Sequence, residues 1–173
     1  MPAMNMLLRF INICLFRAGP EDIPASTQLM QIVVVAYLFM GLAINLLDAD
    51  LFMSLMISVA DLLILFAFVM LLLQWRKKLP RFRQTVTAIM ATSSLLGVLV
   101  LPFLALFYQY DDTTQAASWL LFALMVIMLW SLMVTSHIFR RALNCSAPIS
   151  VAWTLLYVAI SVIGSGLVMS AIA

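Results

Sequence analysis

Apolar residues run along this chain in five long blocks, at about 29–47, 51–73, 85–108, 117–136 and 149–172, separated by short polar seams. Each block reaches the ~20 residues that a helix needs to cross the hydrocarbon core of a bilayer. The pattern therefore predicts an all-α, polytopic membrane helix bundle of five transmembrane helices. The first seam is only Asp48-Ala49-Asp50, which forces an antiparallel hairpin and places Asp50 to cap the second span. The seam from Gln109 to Thr114 is also acidic, whereas those from Gln74 to Gln84 and from Arg140 to Pro148 are basic.

Ahead of the spans, Met4, Leu7, Leu8, Ile11 and Leu15 form one helical stripe, and Asn5, Arg9 and Asn12 share the other side. That spacing predicts an N-terminal amphipathic helix lying in the membrane interface. A cleaved signal peptide is the competing reading; Arg17 interrupts the apolar run and no small-residue cleavage site follows. Gly19-Pro20 ends the helix, Glu21 to Pro24 make a rigid turn, and Ser26 or Thr27 can cap the next helix. Residues 1–28 are thus expected to be a cytosolic helix and turn, and 29–173 a single five-helix domain.

Composition agrees with the pattern: 66% of residues are hydrophobic, 9% are charged and the mean hydropathy is +1.16, against about 25% charged in soluble domains. Charge then adds orientation. Arg76, Lys77, Lys78, Arg81 and Arg83 hold five of the nine Lys and Arg residues in one loop. Arg9, Arg17, Arg140 and Arg141 supply the rest, and five spans put all of them on one side. By the positive-inside rule that side is the cytoplasm, with the N-terminus inside, the C-terminus outside and a bacterial inner membrane as the expected location. A net charge of +2 placed in this way reads as topology-setting and argues against a nucleic-acid partner. An anionic-lipid contact on the cytosolic face fits it better. Cys14 and Cys145 fall on the same side and are expected to be reduced thiols. Trp75, Trp119, Trp153, Tyr108 and Tyr110 sit at span ends, as interfacial aromatics do, whereas Tyr37 and Trp130 lie deeper and are expected to pack.

Small and hydroxyl residues mark helix interfaces in lipid. They concentrate on the third span, around Ser93 and Gly97, and on the fifth, in the pairs Ser161/Ser165 and Gly166/Ser170. Those two spans are expected at the bundle centre and the fourth is expected to be the most lipid-exposed. Pro102 removes a backbone donor late in the third span and can kink it.

Asp61 is the one acid deep in a span, with Ser54 and Ser58 on its face at i, i+4, i+7 spacing. An aspartate at the bilayer centre costs about 2.5–3.5 kcal/mol to insert, which the surrounding apolar residues outweigh. Its carboxyl still needs a partner or a proton. Asp61, Ser58, Ser93 and Ser161 form the candidate intramembrane polar site, either a cation or proton site or a clamp that glues helices. His137 stands beside Arg140 with only Cys145 as a soft ligand nearby, too few for a metal. Gly164-Ser165-Gly166 lacks the strand–turn–helix context of a hydrolase elbow. No catalytic, cofactor-binding or metal-binding constellation is expected, so the chain does not read as an enzyme.

A cytosolic N-terminal segment, five closely spaced spans and a C-terminus just outside resemble the Yip1-like membrane proteins, including their compact bacterial members. The likeness covers 29–173 at the level of topology. It implies a role in membrane organisation and carries over no site residue. The expected function is that of a non-enzymatic accessory, assembly or organising subunit, partnered by other membrane proteins or by further copies of itself. The alternative is a small transporter or channel component that uses Asp61.

Overall fold

The computed structural model describes the backbone of residues 2–110 and 115–172, with side chains for 6–110 and 115–171. Regular structure among these residues is helical throughout: α1 (Pro2–Cys14), α2 (Thr27–Asn45), α3 (Leu51–Trp75), α4 (Phe82–Phe107), α5 (Gln115–Leu143) and α6 (Ala147–Ile172). Short 3-10 turns occupy Pro20–Asp22 and Leu79–Arg81. As the hydropathy pattern predicts, five helices, α2 to α6, are long and apolar enough to cross a membrane. Part of the acidic seam between α4 and α5, residues 111–114, lies outside the described residues.

Local chemistry sets the helix ends. Ser26 caps α2 by accepting from the Leu29 amide at 3.4 Å, and Asp50 caps α3 by accepting from the Met53 amide at 2.9 Å. α1 and α3 both close in Schellman turns. Phe16 and Arg17 donate to the carbonyls of Ile13 and Asn12, while Lys77 and Lys78 donate to those of Gln74 and Leu73. The pivots, Phe16 at φ 60° and Lys77 at φ 54°, occupy left-handed backbone that glycine normally fills. α5 runs seven residues past its predicted end, so His137, Arg140 and Arg141 are helical. Its 29 residues make about 43 Å of helix, longer than the ~30 Å hydrocarbon core.

Around the bundle, α2, α4, α5, α6 and α3 pack in that order as a closed ring, and α3 and α4 also touch across it. α4 contacts α1, α2, α3 and α5, which bears out its expected central place. Gly97 permits the α2 contact, because a Cβ there would meet Met40 Cγ at 2.5 Å and Sδ at 3.2 Å. Despite Pro102, α4 is one uninterrupted helix from Phe82 to Phe107.

The other interior position differs from expectation. Buried residues make up 33% of the most apolar stretch of both α3 and α4 but only 6% of that of α6, so α3 rather than α6 shares the centre. The reason is that α6's small residues divide between two faces. Ser161, Gly164 and Ser165 turn inward, Gly164 against Ile64, whereas Ala152, Ala159, Gly166 and Ser170 are exposed on the outside. Nor is α5 the most exposed span: 11% of its stretch is buried against 6% for α2 and α6.

α1 has three sectors. Phe10 and Ile13 are buried against the bundle, and Arg9 reaches the Asp22 carbonyl. Leu7, Leu8, Ile11 and Leu15, the stripe expected to be apolar, stay exposed and point away from the protein. Met4 and Asn5 have side chains outside the described set. Next to Phe10, burial pushes the Cys14 thiol up to about 11. The thiolate is the reactive form. Cys14, assayed in a Cys145→Ser background, should therefore react with maleimide at pH 7–8 about 100-fold more slowly than an ordinary thiol. The rate should keep climbing about tenfold per pH unit up to pH ~11; a plateau near pH 9 would contradict this burial.

Candidate functional site

Near the middle of the bundle, three helices bring polar groups to one point. Asp61 sits fourteen residues from the Trp75 end of α3, Tyr37 ten residues into α2 and Tyr157 ten residues into α6. These offsets correspond to depths of about 21, 15 and 15 Å from the same end. The Tyr37 hydroxyl donates to Asp61 Oδ2. The Tyr157 hydroxyl is close enough to interact with Tyr37, Asp61 and Ser161. Ser161 Oγ is shielded beside it. On the basic side the cluster is closed by rings: Phe68 lies 5.4 Å from Tyr157, and Trp153 lies 5.4 Å from Trp75. All four members are at least partly buried.

Of the four residues singled out from sequence, the fold gathers Asp61 and Ser161 and separates the others. Ser58 belongs to the opposite end, where its hydroxyl donates to the Ser54 carbonyl at 2.8 Å and accepts from Asn45 Nδ2 at 3.2 Å. Ser93 lines a different groove of about 540 Å³, with Gly97 and Ile44 on one wall and Met128 on the other. Two residues were missed. Tyr37 was expected only to pack, and Tyr157 gave no signal by itself. Their equal depth in two spans, near that of the one acid deep in a span, was the available clue.

Basic residues at the other candidate region do more than stand in solvent. Lys78 Nζ donates to the Leu143 carbonyl at 2.8 Å, and Arg81 Nη1 donates to the Arg141 and Ala142 carbonyls at 3.2 and 3.3 Å. These are the last carbonyls of α5, which have no partner inside their own helix and attract positive charge. Burial, together with neighbouring Arg81 and Arg76, lowers the Lys78 pKa from its ordinary value. Arg83 reaches Thr27 Oγ1 at 3.1 Å, and the Arg76 guanidinium sits 6.0 Å from the Trp75 ring. Lys77 is the turn pivot described above.

His137 is fixed by α1's exit: its Nε2 lies 3.0 Å from the Ala18 carbonyl. A carbonyl only accepts, so Nε2 carries the hydrogen. Cys145 lines the same polar recess, with Arg140, Arg141 and Asn144. Among the described residues, no three His, Cys, Asp or Glu side chains converge in a way that could hold a metal ion. The chain matches no known protein-family model, no curated protein and no solved structure.

Proposed function

We propose that this chain is a non-enzymatic integral membrane protein that works by association, as an accessory, assembly or organising subunit for other membrane components. The outer face of α6 supports this reading most directly. Ala152, Ala159 and Gly166 recur there at seven-residue spacing, with Ser170 one turn beyond Gly166, and all four are exposed. A Cβ at Gly166 would meet nothing within 4 Å. In lipid, small residues in register let a second helix approach closely. By the positive-inside rule, the basic end faces the cytoplasm of a bacterial inner membrane. α1 then lies in the interface with its outward leucines in lipid, an arrangement compatible with a Yip1-like organising role.

Purification in mild detergent should recover a stoichiometric membrane partner or a second copy of the chain. Gly166→Leu, placed in open space, should remove that companion and leave the thermal midpoint unchanged. Retention of the companion by both Gly166→Leu and Ala159→Leu would sink the association through α6.

A second reading takes Asp61 as an intramembrane proton or cation site. The depth of the Asp61 carboxylate in the bundle favours it, with the Tyr37 hydroxyl donating to it and the Tyr157 hydroxyl and Ser161 Oγ beside it, because ionisable groups inside a membrane mark ion and proton paths. Proteoliposomes should then show a flux that Asp61→Asn abolishes; equal flux from both would remove this reading.

A further inference from the structure

At the basic end, α5 and α6 part to leave a cleft of about 490 Å³, open along one side and walled by Leu132, Met133, Val151 and Leu155. A polar recess of about 440 Å³ lies beside it, and His137 and Arg140 line both. Each volume lies in the ~300–1,000 Å³ range of small-molecule sites. The cleft is apolar along its body, and the shared Arg140 makes its mouth cationic.

Charge at that mouth is unbalanced. The ion pair at this end joins Arg141 to Glu21 at 2.8 Å, and no described residue pairs with Arg140. No Asp or Glu lines either space. The hydroxyls of the cleft wall are already occupied, Ser136 with Ser150 at 3.0 Å and Thr154 with the Ser150 carbonyl at 2.9 Å. They leave the body of the cleft without a claim on a polar ligand. Phe16 closes one wall in its left-handed conformation, its ring 5.8 Å from Trp130 and 5.5 Å from His137. A bulky residue at positive φ is costly, and such strain concentrates at ligand clamps.

We propose that this cleft holds one anionic phospholipid from the surrounding leaflet, with an acyl chain between α5 and α6 and the phosphate at Arg140 in the recess with His137 and Asn144. Charge complementarity selects the headgroup, since a guanidinium presents forked donors that match phosphate oxygens. The lateral opening and apolar walls select the chain. The site is separate from the outer face of α6, and lipid retention is read independently of any protein companion.

The test is native mass spectrometry of the full chain in detergent, titrated with dioleoylphosphatidylglycerol, dioleoylphosphatidylcholine or inorganic phosphate. One phosphatidylglycerol per chain should be retained in preference to phosphatidylcholine. Arg140→Gln should weaken retention about fivefold, the worth of one basic residue near a lipid surface. Val151→Trp, which fills the cleft from an exposed position, should abolish it, and Lys77→Gln should leave it unchanged. Thermal midpoints of all three variants confirm that they are folded. Equal retention of the two lipids, unchanged retention in both cleft variants, or inorganic phosphate bound as tightly as the lipid would each overturn the proposal.

Discussion

Tyr37→Phe should destabilise the protein in detergent by about 1–3 kcal/mol, the penalty for leaving a shielded acceptor without its donor. The hydroxyl it removes is the one that donates to Asp61 across the α2–α3 contact. Adding Asp61→Leu to that variant should bring stability back to within ~1 kcal/mol of the starting protein. Replacing both members of an enclosed polar pair by apolar groups of similar shape is close to neutral. Reversible unfolding of the two single variants and the double variant measures the coupling directly. A loss in the double variant equal to the sum of the two single losses would mean that the hydroxyl and the carboxylate do not depend on one another.

Reversing Arg76, Lys77, Lys78, Arg81 and Arg83 to glutamate should invert or scramble α3 and α4 in the membrane, read by reporter fusions or by cysteine accessibility in the seams. Two effects add. The loop loses the positive charge that, under the positive-inside rule, would keep it in the cytoplasm. It also sets carboxylates against the carbonyls of Arg141, Ala142 and Leu143, which Lys78 and Arg81 now satisfy and which repel negative charge. Neutralising Arg76, Lys77 and Arg83 alone should be milder, because the closure of α5 survives. Unchanged orientation after full reversal would refute the topological role of the loop.

Much of the architecture was legible because bilayer crossing leaves a long, coarse mark. A run of some 20 apolar residues needs no subtle propensity to be seen, and acids such as Asp50 announce their caps. Ring order was not legible. Ser161 and Gly166 look alike in sequence, yet one faces the cluster and the other faces outward, because the face that packs depends on where α3 and α5 stand. Asp61 was visible as an oddity, whereas its partners were not. A tyrosine in an apolar span is an ordinary packing residue until a second helix places a carboxylate within its reach. Ser58 and Ser93 were grouped with it on depth and face alone. The hairpin register instead carries Ser58 to Asn45, and the turn of α4 carries Ser93 toward α5.

The long-range polar ties are unevenly distributed along the bundle. At the basic end, Arg83 holds Thr27, Gln84 holds the Ile23 carbonyl, Lys78 and Arg81 hold α5, and Arg141 holds Glu21. Among the described residues, the far end has the Asn45–Ser58 bond between α2 and α3, and Pro102 leaves α4 without one backbone donor there. Among the described residues, the polar ties between helices therefore gather at the basic end beside the Arg140 cleft, and the Asp61 cluster stands beyond them, toward the middle of the bundle.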